Sequence, residues 1–321
     1  FFFKQKTAYE IPKRDWSSDV CSSDLNNACL HKNARLVDKN TKISDKCLIC
    51  PVHAWSYDID GNLNNVPGKK IENSKLTLNT KKDIFEFEMF LFTNKELKEE
   101  ISNSPFLKDF NLSNFELAGV DFSLQEGNWK EYGMVFNESN HVAYFHPEMR
   151  EVLDSNSIEW EGGKNYNAHR MKYKKSWKNK VDNRFTKYFN YLIDSNIELE
   201  NDGINDYAVT WYNIFPNVFF DLWAGQFNIG FIEPISLYQY KIHNFWFVDK
   251  RLKEKKDIND LMSNALLDVD TEDMAIIKRI HEGLTSNYES DRIVEYVVGD
   301  LEHGNLDFYN WLLENGSFYH K

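Results

Sequence analysis

The spacing of hydrophobic and polar positions divides the chain into two regions. From residue 26 to about residue 67, short apolar pieces (ARLV, CLICPV, WSYDI) alternate with turn signals, Asp-Gly at 60–61 and Pro-Gly at 67–68. This alternation is typical of short antiparallel strands joined by tight turns. A passage rich in Lys and Asn follows at 69–82, and we interpret the stretch behind it as the seam between two domains.

The second region mixes helical and strand patterns. Asn128 suits an N-cap before a helix, and the last helical stretch has acidic residues near its start and Gly283 near its end. The predicted elements are a short helix in NKELKEEISNSPFLKDF, a strand or sheet edge at 115–124, helices at 129–141, 174–195 and 270–286, and several antiparallel strands at 207–248. We therefore predict an α+β fold, with a small β domain at 26–110 and a larger domain at 111–321.

The composition excludes several functional classes. Lys and Arg number 38 against 50 Asp and Glu, which gives a formal net charge of -12 and a pI near 5.3. This acidity, without a basic block, argues against nucleic acid or an anionic membrane surface as the main partner. No apolar run reaches the roughly 18–20 residues of a membrane span, and 42% hydrophobic residues can form a sizeable core. We therefore expect a cytoplasmic enzyme.

Residues 1–25 differ in character from the rest. The runs KQKTAYEI and DWSSDVCSSDL resemble the translation of a sequencing adapter, so we expect this segment to be an artefact and fold reasoning to start near Asn26. The small β domain would then lack its N-terminal strands. Cys21 falls in this segment, and the odd remainder of Cys29, Cys47 and Cys50 does not suit a disulfide framework.

Two motifs in the β region combine cysteine with histidine. A C-x-H motif supplies Cys29 and His31, and a C-x-x-H motif supplies Cys50 and His53. Two thiolates on one iron and two imidazoles on the other are the ligands of a Rieske [2Fe-2S] cluster. The same residue types also suit a tetrahedral zinc site, although zinc fingers pair Cys with Cys and His with His. Cys47 is expected to be a small buried residue, not a ligand.

A second group of metal-binding residue types lies in NWKEYGMVFNESNHVAYFHPEM, which holds Glu138, His141 and His146. On a regular helix the five-residue step between the histidines turns the side chain by about 140°. They can share a metal only if the helix ends or unwinds between them, and Pro147 favours such a break. Glu138 is three residues before His141, so its carboxylate can orient that imidazole. The alternative is a helix with a solvated acid and two incidental histidines.

These segments resemble the α (oxygenase) subunits of Rieske non-haem iron oxygenases of the aromatic-ring-hydroxylating dioxygenase type. CLHKNARL and CLICPVHAWSYDIDGNL are similar to the cluster-binding loops, apart from Lys32 and Asn33, where the family has Arg-Gly. The segment with His141 and His146 is similar to the family's N-W-K…(D/E)-x-x-H-x-x-x-x-H motif. TEDMAIIKRIHEGL is similar to E-D-x-x-(I/V)-x-x-x-Q-x-G-L, with Asp273 at the ligand position.

The resemblance implies a catalytic domain of the helix-grip type with an antiparallel sheet. It implies that His141, His146 and Asp273 hold Fe(II) as a facial triad, although Glu272 and Asp270 are neighbours that could be confused with Asp273. It further implies a head-to-tail homotrimer in which the carboxylate at position 138 carries electrons from the cluster of one subunit to the iron of the next.

The implied function is that of a terminal oxygenase, an oxidoreductase that incorporates molecular oxygen. Electrons from NAD(P)H would pass through a separate reductase or ferredoxin to the cluster and then to Fe(II), where O2 is activated. One or both oxygen atoms would enter a small organic substrate. Two alternatives stay open, namely a Rieske electron-transfer protein whose second domain only binds a partner, and a zinc-binding structural module on a ligand-binding domain.

The remaining histidines match no ligand spacing, so we expect them at the surface or satisfied in the core. They include His169, His243, His303 and His320. Aromatic residues of the strand region around Trp211 are expected mainly in the core, with some lining a substrate pocket.

Overall fold

The structure of the chain is a computed structural model that describes residues 2–3, 23–37, 47–70, 76–83, 85–88, 90–92, 94–108, 110–195, 207–290 and 299–315. His320 and Cys21 lie outside these residues. The chain divides into two compact units, residues 1–99 and 100–321, and each is described by itself. The domain boundary predicted at 110/111 lies beyond this division and stays a prediction, as does the assignment of residues 1–25 to adapter sequence.

The first unit consists of short antiparallel strands, which confirms the pattern predicted for residues 26–67. Its strands are β1 (Phe2–Phe3), β2 (Ser23–Leu25), β3 (Cys47–Ile49), β4 (Ser56–Asp58), β5 (Leu63–Asn65), β6 (Asn79–Asp83), β7 (Phe85–Phe87) and β8 (Phe90–Phe92). They form three small sheets with the orders β3-β4-β5, β2-β6 and β1-β8-β7.

A cluster of buried side chains joins the β3-β4-β5 sheet to the loops around it. Its members are Cys29, Leu36, Leu48, Cys50, Tyr57, Leu63 and Leu78. Tyr57 is the largest of them and is completely buried. The two cysteines of the candidate motifs therefore belong to the hydrophobic core of this unit, where little water competes for their sulfur atoms.

The second unit is organised around a seven-stranded antiparallel sheet. Its strands are β9 (Phe115–Glu126), β10 (Leu153–Gly162), β11 (Tyr166–Tyr173), β12 (Tyr207–Ile214), β13 (Val218–Trp223), β14 (Gln226–Ser236) and β15 (Gln239–Asp249). The order β10-β11-β12-β13-β14-β15-β9 places the first strand at the far edge, beside the last. The strands predicted at 207–248 and the sheet edge predicted at 115–124 are thus confirmed, and the fold is α+β.

Helices cover the sheet and supply the remaining elements. They are α1 (Lys95–Asn103), α2 (Pro105–Lys108), α3 (Trp129–Phe136), α4 (Val142–Phe145), α5 (Pro147–Val152), α6 (Arg184–Asp194), α7 (Lys256–Glu289) and α8 (His303–Asn315). α3 and α7 pack on one face of the sheet, where Tyr132 and Met274 contact the buried side chains of Phe219 and Tyr240. No described helix is both long enough and apolar enough to cross a membrane.

Three predicted helix boundaries were wrong. The helix predicted at 129–141 does start after Asn128, whose side chain accepts the Lys130 N–H, but it ends at Phe136. It ends there because the Glu138 carboxylate accepts the backbone N–H groups of the next turn and so competes with helical hydrogen bonds.

The other two errors have different causes. The helix predicted at 174–195 is divided into a 3-10 turn at 177–179 and α6, which begins where the Asn183 side chain accepts the Thr186 N–H. The helix predicted at 270–286 extends from Lys256 to Glu289. Its acidic residues at 270–273 resemble first-turn charges, but they lie in the middle of α7.

Two helical glycines differ in the space beside them and provide a test of the packing. A Cβ on Gly133 would lie 2.8 Å from the Phe308 ring of α8, whereas a Cβ on Gly283 would meet nothing within 4 Å. We expect Gly133→Ala to lower the free energy of unfolding by about 1–3 kcal/mol through overpacking, and Gly283→Ala to raise it by about 0.5–1 kcal/mol. Urea unfolding followed by tryptophan fluorescence measures both, and equal shifts of the same sign would contradict the packing of α8 on α3.

Candidate functional site

The two cysteine-histidine motifs lie in loops with the same backbone pattern. In each loop the cysteine N–H donates to the carbonyl five residues later, and the N–H four residues later donates to the cysteine carbonyl. The bonds are Cys29 N to Ala34 O (2.8 Å), Asn33 N to Cys29 O (2.8 Å), Cys50 N to Trp55 O (2.8 Å) and Ala54 N to Cys50 O (3.0 Å). Two equivalent loops can therefore each present one sulfur and one imidazole.

The fourth residue after each cysteine has a left-handed backbone conformation. Asn33 has φ 56° and Ala54 has φ 55°. Glycine adopts this conformation most easily, and asparagine is among the few other residues that tolerate it well. The asparagine that replaces the family's glycine at position 33 is therefore compatible with the loop.

The sulfurs and the imidazoles of these loops are segregated. Cys29 and Cys50 are buried and belong to the same cluster of core side chains. His31 and His53 are exposed, with ring centroids 4.6 Å apart in an edge-to-face arrangement. The ring of Trp55 stacks on His31 at 4.9 Å. Like ligands lie side by side, so the donor set fits a cluster with two sulfurs on one iron and two imidazoles on the other.

Hydrogen bonds to the sulfurs support the same arrangement. Burial alone would raise the pKa of the Cys50 thiol, but backbone N–H groups of His53 and Val52 point at the sulfur, and the net pKa is lowered. The Tyr57 hydroxyl lies 3.1 Å from Cys29 Sγ. Burial and this contact raise the pKa of Tyr57 to about 12, so the hydroxyl keeps its proton and can donate it to the sulfur. Sequence reasoning did not identify Tyr57 as part of this site.

In the second unit, a helix ends between the two predicted iron-binding histidines. His141 immediately precedes the short helix α4, and His146 lies between α4 and α5 with φ -107° and ψ 85°. Pro147 then begins α5. This change of direction brings the two imidazoles to 5.0 Å between centroids, which confirms that the helix is interrupted between them.

The middle of α7 brings a carboxylate to both imidazoles. Oδ1 of Asp273 is 3.0 Å from Nε2 of His146 and 3.4 Å from Nε2 of His141. The three ligand atoms lie within 4.8 Å of one another. Among the described residues, this buried Oδ1 nevertheless has no hydrogen-bond partner. Two imidazole nitrogens and one carboxylate oxygen this close together fit a divalent metal ion held by two histidines and one carboxylate.

A second carboxylate lies behind each imidazole. Glu138 Oε1 contacts Nδ1 of His141, and Glu272 Oε2 lies 2.7 Å from Nδ1 of His146. Each carboxylate accepts the Nδ1 proton, so the Nε2 lone pair points toward Asp273 and is available to a metal. Burial lowers the pKa of His146, but Asp273 and Glu272 together raise it above its ordinary value.

A cavity of about 70 Å³ adjoins this group of residues, and the sheet provides one of its walls. Residues directly opposite each other on neighbouring antiparallel strands share a face of the sheet. One such row crosses the four strands β11 to β14 and contains His169, Trp211, Asp221 and Asn228, all of which line the cavity.

The polar residues of this row lie in surroundings that disfavour charge. Burial raises the pKa of Asp221 to about 7, although hydrogen bonds from Trp223 and Asn228 act in the opposite direction. Burial, followed by the nearby Asp273 and Asp221, raises the pKa of Asp270 well above its ordinary value. Burial, followed by the nearby His141, lowers the pKa of His169 to about 3.

Sequence reasoning did not identify several of these residues as part of a site. Glu272 was considered only as a competitor of Asp273 for the ligand position. Asp221 and Asn228 lie in an aromatic strand region where periodicity indicates burial and nothing more. His169 was expected at the surface or in the core, and it is a buried residue that lines the cavity. Only the register of the strands could have placed His169, Asp221 and Asn228 together.

The raised pKa of Asp221 gives a stability profile that can be tested. Between pH 4 and pH 7 the folded protein holds a proton that the unfolded chain has lost, so this group makes the folded state less stable as pH rises through that window. We expect Asp221→Asn to raise the melting temperature at pH 8 relative to the unmodified chain, by the equivalent of about 1–3 kcal/mol. The gain should be smaller at pH 5, and thermal unfolding at both pH values measures it. A melting-temperature difference that is the same at pH 5 and pH 8 would contradict the raised pKa of Asp221.

Comparisons with known proteins agree with this geometry. The sequence model of the ring hydroxylating alpha subunit (catalytic domain) matches residues 117–316, and that of the Rieske [2Fe-2S] domain matches residues 21–78. The chain is 20% identical over 290 residues to putrescine 2-hydroxylase of Ralstonia nicotianae, with 89% of this chain and 77% of the relative covered.

Two solved structures share the fold. A quaternary ammonium Rieske monooxygenase, CntA, has a TM-score of 0.64 at 14% identity, with 91% of this chain and 77% of that chain covered. Naphthalene 1,2-dioxygenase from Rhodococcus sp. has a TM-score of 0.60 at 14% identity, with coverage of 90% and 79%. The chain therefore belongs to the ring hydroxylating alpha subunit family, and it is an oxidoreductase of the Rieske non-haem iron oxygenase type.

Proposed function

We propose that this chain is the terminal component of an oxygenase system, in which Fe(II) is held by His141, His146 and Asp273. The observation that carries the proposal is the convergence of two Nε2 atoms on a buried carboxylate oxygen that has no hydrogen-bond partner in the described part of the chain. Two histidines and one carboxylate leave open positions on the metal for O2. When bound there, Fe(II) supplies the O2 activation that allows mono- or dioxygenation of a small organic substrate.

A Rieske [2Fe-2S] cluster would be held by Cys29 and Cys50 through sulfur and by His31 and His53 through nitrogen. The exposed imidazoles would face an electron-transfer partner, while the buried sulfurs are protected from solvent. A reductase or ferredoxin would deliver electrons that come ultimately from NAD(P)H. The Rieske domain would extend over residues 26–110 and the catalytic domain over 111–321, in a cytoplasmic protein.

Glu138 is proposed to link the two metal centres across a subunit boundary. Its carboxylate contacts Nδ1 of His141 and also accepts the Asn140 backbone N–H, so it is held rigidly behind a proposed iron ligand. In a head-to-tail homotrimer this carboxylate would lie on the path by which an electron passes from the cluster of the neighbouring subunit to the iron. Glu272 would orient His146 in the same way on the other side of the metal.

Two features favour an oxygenase over a Rieske electron carrier with a partner-binding domain. A carrier needs no second metal site, whereas the second unit brings together two histidines and Asp273, which could hold a metal ion. A carrier also needs no internal cavity beside such a site, and here the cavity is lined by all three proposed ligands. The segregation of thiols from imidazoles in the first unit likewise supports a two-iron cluster over a single zinc ion.

The assignment of iron ligands can be tested by metal analysis. We expect His141→Ala and Asp273→Ala to reduce bound iron from about three to about two atoms per chain, with the Rieske absorption retained and product formation lost. His243→Ala is the matched control, because His243 forms a partly exposed pair with Glu233 on the sheet. Iron content that stays the same in both site variants, with activity retained, would favour the electron carrier.

The role of Glu138 can be tested by the rate at which the reduced cluster is reoxidised. We expect Glu138→Gln to retain both metal centres but to slow O2-dependent reoxidation of the cluster by about 10–100-fold, since it removes the charge behind His141. Glu233→Gln is the control, because it alters another Glu–His pair, at 2.8 Å. Stopped-flow absorption measures the rate, and an unchanged rate in an iron-replete variant would contradict the role.

The relatives differ in the molecules that their names specify. One is a putrescine hydroxylase, one a quaternary ammonium monooxygenase and one a naphthalene dioxygenase. Similarity to these relatives is thus compatible with either a charged or an aromatic substrate for this chain. The residues that line the cavity must distinguish between the two.

A further inference from the structure

Two partly buried carboxylates in the cavity are not part of the proposed iron site. Asp221 lies on β13, and Asp270 lies on α7, three residues before Asp273. Both line the cavity, and neither forms an ion pair with another described residue. Burial raises the pKa of the Tyr132 hydroxyl, and the nearby charges of Asp270, Asp273 and Asp221 raise it further. These carboxylates therefore surround one small space.

The hydrogen bonds in the cavity wall leave an acceptor without a donor. Trp223 Nε1 and Asn228 Nδ2 both donate to Oδ2 of Asp221, at 2.6 and 3.1 Å. Asn228 is only 9% exposed, and its Oδ1 is buried with no partner among the described residues. A buried amide oxygen without a donor costs free energy. Independently of the carboxylates, this oxygen can accept a hydrogen bond from a ligand that carries N–H or O–H groups.

The charge of the cavity narrows the choice of ligand. The described residues that line it include four carboxylates but no Lys or Arg: Glu138, Asp221, Asp270 and Asp273. When all four groups are ionised, a divalent metal ion offsets only two of their negative charges. Water could donate to Asn228, but it brings no positive charge to the remaining carboxylates. Trp211, Trp223 and Tyr132 also line the space, and their ring faces attract cations.

We propose that the cavity binds an organic ammonium ion whose N–H groups donate to Asp221, Asn228 and Asp270. This inference rests on the proposed oxygenase function, because the alkyl part of the ammonium ion would then extend toward the iron site. The cavity of about 70 Å³ favours a small aliphatic amine. A quaternary ammonium could stack on the aromatic rings, but it has no N–H to donate to the oxygen of Asn228.

The burial of the two carboxylates is consistent with a bound cation. Burial raises the pKa of both groups, which makes their ionised forms costly in the empty protein. A cation placed between them favours the ionised forms again, so the ligand and the two negative charges stabilise each other. A neutral ligand of the same shape provides no such compensation.

The inference is tested by calorimetric titration of the purified, iron-loaded protein with n-butylammonium chloride and with 1-butanol, which has similar size but no charge. We expect n-butylammonium to bind at least about tenfold more tightly than 1-butanol and also more tightly than tetramethylammonium. Asp221→Asn and Asp270→Asn should each weaken n-butylammonium binding by about tenfold or more and leave 1-butanol unaffected. Asp268→Asn is the matched control, because Asp268 lies on the same helix and pairs with Arg184 at the surface.

Three results would overturn the inference. One is equal binding of n-butylammonium and 1-butanol, and another is binding of n-butylammonium that neither cavity variant changes. The third is tighter binding of tetramethylammonium, which would exclude the N–H contacts. The comparison of probes on the unmodified chain needs no variant, so it decides the matter even if a variant fails to fold.

Failure of the inference and failure of the proposed function give different results. Iron content and reductant-dependent O2 consumption are measured on the same samples. Selective cation binding without mononuclear iron would support the ammonium site and contradict the oxygenase, whereas iron and O2 consumption without cation selectivity would do the reverse.

Discussion

Oδ1 of Asp273 is held between two imidazole nitrogens at 3.0 and 3.4 Å, buried and without a hydrogen bond from any described residue. A desolvated carboxylate oxygen in that position is costly unless a positive charge compensates it. Two otherwise unfavourable features of the second unit bring Asp273 and the two histidines together. The chain interrupts its helix at His146, and α7 carries acidic residues in its middle, where a helix gains nothing from them.

In both units, proposed metal ligands are contacted by second groups that fix the orientation of those ligands. Glu138 and Glu272 accept the Nδ1 protons of the two proposed iron ligands. In the first unit, the Tyr57 hydroxyl and backbone N–H groups approach the cysteine sulfurs. In each case the second group fixes the orientation of the residue that would bind the metal, so the residues behind the proposed ligands determine the geometry of the site as much as the ligands do.

The seven-stranded sheet contributes polar residues to the cavity in which we propose that the substrate binds. Its central strands are buried on both faces, yet one row across them carries His169, Asp221 and Asn228 into the cavity beside the proposed iron site. Polar groups in such a position favour ligands that pair with them, because a buried polar group without a partner costs free energy. The rigidity of the paired strands fixes their positions relative to the histidines that α4 and α5 carry.

The sequence by itself determined the family, the α+β class, the antiparallel strands and the cysteine, histidine and aspartate candidates, because these depend on local motifs, spacing and alternation. It also indicated the break between His141 and His146, since a regular helix cannot bring both imidazoles to one metal. Only the tertiary structure decided that Glu272 lies behind His146, that α7 extends far beyond its apparent first turn, and that Asp221 and Asn228 share a cavity. Those relations depend on strand register and on contacts between residues as far apart as 146 and 272, and local sequence patterns carry no information about either.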